Sequence, residues 1–154
     1  MKKILKYFYF FFNSILKKIQ FKKVSYSLSG VDLVLNYIFK NKKNGFYIDI
    51  GCNHPIKNNN TYLLHKRGWS GINIDLDKSS IDQFNILRSN DANIRTCVSN
   101  RNGTTTLYFY HDRSPINTIS KDLSNYHQKK PKEIKSVETK TLDSILENTK
   151  FKND

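Results

Sequence analysis

Two aspartates and one glycine carry the residue types and spacing that could do chemistry in this chain. Asp49 lies in the run Phe46-Tyr-Ile-Asp-Ile50, Gly51 follows it, and Asp75 ends the run Gly71-Ile-Asn-Ile-Asp75. Both runs read as short buried strands. Between them, Asn60-Thr-Tyr-Leu-Leu-His-Lys-Arg67 suits a helix closed by Gly68. That order is a βαβ unit, whose crossover makes the two strands parallel. In such sheets ligands bind beyond the carboxyl ends of the strands. A glycine at the first turn lets backbone approach a ligand closely. A carboxylate ending the second strand can accept hydrogen bonds from both hydroxyls of a ribose. The arrangement points to a nucleoside-containing cofactor.

The residues after Gly51 narrow the choice. Gly51-Cys-Asn-His-Pro-Ile56 lacks the second and third glycines of a dinucleotide fingerprint. No Gly-Lys-Ser/Thr comes after a strand, which excludes a Walker phosphate loop. A cofactor with a ribose and no phosphate fits better, and S-adenosylmethionine is the common one. On that reading Asp75 is the ribose ligand. Gly51 and Asn53 form a loop over the cofactor, and the Asn53 amide offers both donor and acceptor. Asp49 would hold the ammonium of the methionine part, or else orient the Gly51 turn. Asn53 has the alternative of being an ordinary turn asparagine. Ser99 is a candidate for the adenine pocket, and Asp77 suits a helix cap.

These residues resemble a known family. Phe46-Tyr-Ile-Asp-Ile-Gly-Cys-Asn-His-Pro55, Asn60-Thr-Tyr62, Lys66-Arg-Gly-Trp-Ser-Gly-Ile-Asn-Ile-Asp75 and Cys97-Val-Ser-Asn100 are similar to successive signatures of FkbM-type methyltransferases. So is the upstream Tyr26-Ser-Leu-Ser-Gly-Val-Asp32. The resemblance runs from about Tyr26 to Leu146. It implies a class I, Rossmann-like methyltransferase fold, S-adenosylmethionine as cofactor, and methyl transfer to a hydroxyl of a sugar, a lipid-linked glycan or another small metabolite. Two residues depart from the family pattern: Cys52 replaces its usual alanine, and Asn100 its usual aspartate. The family continues into a strand carrying Asp-x-Glu-Gly, a motif absent from this sequence. The expectation is therefore the amino-terminal half of that parallel-sheet fold, a truncated domain inactive by itself. The competing expectation is a non-catalytic protein acting through membrane-surface or partner binding.

No general base is assignable. His54 lies in the cofactor loop beside Pro55 without a visible partner, and His65 suits a surface or packing position. The four histidines and two cysteines do not make metal-ligand spacing. Cys52 and Cys97 read as small core residues, and two cysteines suit a reducing compartment such as the cytoplasm.

The elements that must position these residues occupy 25–154. Residues 1–24 form a separate amino-terminal helix and linker. Across 154 residues the net charge is +13, but ten lysines and a single acid, Asp32, put +9 into the first 43 residues. Residues 44–154 are nearly balanced, and no nucleic-acid motif accompanies the basic segment, so no specific nucleic-acid partner is implied. Ile4, Leu5, Phe8, Phe11, Phe12, Ile15, Leu16 and Ile19 share one helical face, while Lys3, Lys6, Asn13, Lys17 and Gln20 share the other. The apolar run is too short to span a bilayer and lacks a signal-peptide cleavage site. Residues 1–20 are thus expected either to touch the inner face of a membrane peripherally or to dock on protein.

Further along, Ser29-Gly-Val-Asp32 reads as a capping-box-like start. The helix after it is expected to bury Val31, Val34, Leu35, Ile38 and Phe39. A helix after Asp77 should bury Ile81, Phe84 and Leu87. Strands are expected over 93–98, 104–110 and 134–140, a loop with a short helix over 111–132, and a short helix over 141–146.

Overall fold

The computed structural model describes residues 2–20 and 24–152. Met1, Phe21 with the Lys22-Lys23 linker, and Asn153-Asp154 lie outside the described residues, as do the side chains of residues 2–3 and 17–20. The chain is a mixed α/β protein built on a parallel three-stranded sheet. Helix α1 is Lys2–Gln20 and α2 is Val31–Ile38. Strand β1, Phe46–Ile50, crosses through α3, Tyr62–Lys66, to β2, Ser70–Asp75. Helix α4, Lys78–Leu87, then returns the chain to β3, Ala92–Arg95. All pairings are parallel in the order β1-β2-β3, with Asp49 opposite Asn73 and Asp75 opposite Arg95. Strand β1 is an edge, with no strand on its other side among the described residues.

The expected strand over 93–98 is divided. After Arg95 the chain leaves the first sheet, and β4, Cys97–Val98, joins a second one. There β5, Gly103–Phe109, and β6, Glu133–Lys140, pair antiparallel, while β4 runs parallel to β6. Helix α5, Lys121–Tyr126, and helix α6, Leu142–Leu146, complete the fold. Their caps are conventional: the Ser120 and Thr141 hydroxyls accept from the backbone N–H groups of Leu123 and Ser144.

Strand alternation divides the first sheet into two unlike faces. Phe46, Ile48, Ile72 and Ile74 face α6, where Leu142, Ile145, Leu146 and Phe151 complete an apolar core. Ile72 and Ile74 are fully buried, which contributes about 1.5–3 kcal/mol each relative to exposure. The opposite face carries Tyr47, Gly71 and Asn73 under α3 and α4. Apolar cover there comes from Leu64 and Trp69 with Leu35 and Phe39 of the α2 region. Gly71 is required at this spot, because a Cβ would run into the Tyr47 carbonyl.

Two helices turn a different stripe inward from the one their apolar residues suggest. In α2 the inward residues are Asp32, Leu35 and Phe39, while Val34 and Ile38 are exposed. Asp32 is fully buried, and its carboxylate accepts from Ser25 Oγ, Tyr26 N, Ser27 Oγ and Leu33 N. Burial alone would raise its pKa, but these bonds outweigh it and hold the group below the ordinary carboxylate value. The helix begins at Gly30 without a side-chain cap, so Ser29 does not form the expected box. In α4 the inward residues are Ile81, Phe84 and Arg88, and Leu87 is exposed. In both cases a hydrogen-bonded charged residue displaces an aliphatic one from the core-facing stripe, Arg88 through its two terminal nitrogens while its Nε has no partner among the described residues.

Candidate functional site

Strand β1 turns at Gly51, whose φ of +74° suits glycine. Space is not the constraint, since a Cβ there would meet nothing. The Gly51 and Cys52 amides both donate to the Ile74 carbonyl, at 2.8 and 3.2 Å, which fixes the turn to the end of β2. Asn53 takes a second left-handed conformation, with φ of +50°. That brings its amide to Asp75 Oδ2 at 2.9 Å. The Asp77 amide reaches the other oxygen, Oδ1, also at 2.9 Å. Two backbone donors thus orient the Asp75 carboxylate, and each oxygen keeps a lone pair for a further donor.

The same loop system forms a cleft of about 680 Å³ at the carboxyl ends of β1 and β2. That volume lies within the usual range for small-molecule sites. Asp75, Asp77, Gly51 and Asn53 line one side. Ile74, Val98, Leu107 and Phe109 supply apolar surface, and Arg95, Arg113 and Lys135 supply positive charge. Asp77 caps α4 through Ser80 N at 3.0 Å and accepts from Arg113 N at 2.6 Å. The second contact ties the 111–117 loop to the rim.

Three of the residues singled out from sequence therefore come together: Gly51, Asn53 and Asp75. The other two do not reach the cleft. Asp49 faces the α3 side, where its Oδ2 accepts from Asn59 Nδ2 at 3.0 Å and Thr61 Oγ1 at 2.9 Å. It organises the 59–61 segment rather than the Gly51 turn. Ser99 donates its amide to the Lys140 carbonyl in the second sheet and is not among the cleft residues. His54 Nδ1 accepts from the Ile56 and Lys57 amides, each at 3.0 Å, and so closes the turn after the cleft loop. Partial burial, with Arg113 and Lys57 nearby, lowers its pKa and keeps it neutral. Cys52 is buried, and burial together with the Asp75 and Asp49 carboxylates pushes its thiol pKa far up. Cys97 is pushed up by burial alone. Both are inert thiols. Among the described residues, no group of His, Cys, Asp and Glu is arranged to hold a metal ion.

Sequence reasoning missed the polar centre beneath α3. Arg88 is 1% exposed, and its guanidinium donates to Pro55 O, Asn59 Oδ1, Thr61 Oγ1 and Tyr47 Oη. Tyr47 Oη in turn donates to Asp91 Oδ2 at 2.5 Å, and Asp91 also accepts from Gly71 N and Asn73 Nδ2. Burial, and then the bond to Asp91, push the Tyr47 pKa up, so its hydroxyl stays protonated and donating. Arg88 thereby holds the loop from Pro55 to Thr61, the outer support of the Gly51–Asn53 turn. The one signal for it was position: Arg88 follows Ile81 and Phe84 at the spacing of one helical stripe.

Comparison of the chain with family models, curated proteins and solved structures found no match.

Proposed function

We propose that the cleft binds S-adenosylmethionine and that the chain takes part in methyl transfer to a hydroxyl of a sugar or other small metabolite, as the FkbM-type resemblance implies. The observation that carries the reading is the Asp75 carboxylate. It ends the second parallel strand, is oriented by two backbone amides, and lines a cleft of small-molecule size. In this reading Asp75 takes the 2′- and 3′-hydroxyls of the ribose. The Gly51–Asn53 backbone passes close over the nucleoside, and Asn53 offers its side-chain amide to the cofactor. The Val98, Leu107 and Phe109 surface supplies apolar contact for the adenine. A phosphate-bearing cofactor fits less well, because the Gly51 turn has no second glycine to admit a pyrophosphate. The half-sheet order β1-β2-β3, with α3 and α4 on one face, is compatible with the amino-terminal half of a Rossmann-like methyltransferase.

Titration calorimetry of the purified chain with S-adenosylmethionine and S-adenosylhomocysteine tests this. Replacing Asp75 by Ala should weaken binding by about 1.5–3 kcal/mol, the scale of hydrogen bonds to a charged group. Circular dichroism of the variant would establish that the sheet survives. Unchanged affinity removes Asp75 from the site, and no binding by the unaltered chain overturns the cofactor reading.

A further inference from the structure

Helix α1 plays no part in the cleft, and its apolar face is uncovered. Ile4, Leu5, Phe8, Phe11, Phe12, Ile15 and Leu16 are between 41% and 71% exposed. Tyr7, Tyr9 and Phe10, outside that stripe, are also exposed, so residues 7–12 present six aromatic side chains in succession. Tyr7 and Tyr9 border the stripe, whereas Phe10 shares the opposite face with Lys6. A groove on a protein would cover the stripe and leave the two tyrosines in water. The interfacial zone of a bilayer accommodates them, with rings at the acyl boundary and tyrosine hydroxyls among headgroups.

Charge selects the kind of surface. The first 43 residues contain ten lysines and one acid. That acid, Asp32, is fully buried and hydrogen-bonded, so the segment exposes no carboxylate to balance its lysines. A second copy of the chain would set one uncompensated basic segment against another. An anionic headgroup layer is complementary to it. At 19 residues the helix is about 28 Å long, and among the described residues no helix is long and apolar enough to cross a membrane.

We propose that α1 is an interfacial anchor, lying in the plane of an anionic lipid bilayer with its Ile4–Leu16 face among the acyl chains and its lysines at the headgroups. Flotation of the purified full chain with phosphatidylcholine vesicles, with and without phosphatidylglycerol, tests it. Binding should appear on the anionic vesicles, weaken at least about tenfold on the neutral ones, and fall as salt is raised. The Phe8→Glu/Phe12→Glu variant should lose binding while its unfolding transition stays in place, since both rings are exposed. Reversing Lys6 to Glu alone should reduce partitioning about fivefold or more. Equal behaviour on both vesicle types, or retained binding by the double variant, would overturn the proposal. So would lipid-independent self-association that the double variant abolishes, because the face would then belong to a second copy.

Discussion

Asp49 and Asp75 stand on neighbouring parallel strands, one residue from the Gly51 turn on β1 and at the very end of β2, and the structure puts them to different uses. Asp49 faces α3 and receives two side-chain donors from a segment that Arg88 also grips. Asp75 faces the cleft and receives two backbone amides that aim it without filling it. Asp49 stands opposite Asn73, two residues short of Asp75, so the pleat puts both carboxylates on the same face. Asp49 lies further in, held by the 59–61 segment, and Asp75 lies beyond it at the strand end. A carboxylate near a strand's carboxyl end is thus a candidate ligand only where the loops leave space beside it.

The sharpest way to break this comparison is at Arg88. If the α3 side is a closed structural network, Arg88→Met should cost about 3–5 kcal/mol, the scale for leaving a buried charge without its partner. The substitution keeps the stem of the side chain. It strips Thr61 Oγ1 and the Pro55 carbonyl of their donor, takes one of three donors from Asn59 Oδ1, and leaves buried Asp91 with no cation near Tyr47. Urea unfolding followed by circular dichroism would read the loss. A variant as stable as the parent would mean that the network is slack and the contrast between the two carboxylates is false.

The strands and the first βαβ unit were legible from sequence because apolar runs, glycines and turn residues agree there. So was the cluster of Gly51, Asn53 and Asp75, since the turn and the strand ends follow directly from the topology. The inward stripes of α2 and α4 were not, and the reason is the same in both. Asp32 and Arg88 occupy core-facing positions at helical spacing with Leu35 and Phe39, and with Ile81 and Phe84. A pattern of apolar residues passes over a charged one, although several hydrogen bonds make its burial tolerable. At Asp49 the strand was legible, but the arrival of the Asn59 and Thr61 donors on its carboxylate was not. The division of 93–98 between two sheets was hidden because Asn93-Ile-Arg-Thr-Cys-Val98 carries no breaker at the crossing.

Asp49 offers a smaller but more discriminating test. Asp49→Asn keeps an oxygen for the Asn59 and Thr61 donors and removes the charge, so stability should fall by about 1 kcal/mol. Affinity for S-adenosylmethionine should stay within about twofold, against the tenfold or greater loss expected for Asp75→Ala. Calorimetry on the two variants side by side decides the matter. A comparable loss at Asp49 would return it to the site as a ligand for the cofactor's ammonium, and the division between the two carboxylates would fail.

The gentlest probe is pH, which touches one histidine beside the cleft loop and one on α3. His54 is lowered by burial and by Arg113 and Lys57; His65 is lowered by burial and Arg88, with Asp91 opposing. A histidine whose folded pKa is depressed binds fewer protons in the folded than in the unfolded state. Its stabilising contribution is complete above the unfolded value near 6.5 and is lost as pH falls through the folded one. Stability should therefore decline as pH drops below about 6.5, before Asp32 begins its own loss near the carboxylate range. At His54 the mechanism is visible, because protonating Nδ1 removes the acceptor used by the Ile56 and Lys57 amides. His65 has no such bonds; protonation there adds a charge beside Arg88, with Asp91 4.0 Å away in partial compensation. Thermal unfolding from pH 8 to pH 5 should show the decline in the parent chain. His54→Asn, whose shorter side chain can still cap the turn, should flatten more of it than His65→Gln. The reverse order would place the pH-sensitive contact under α3 rather than at the edge of the cleft.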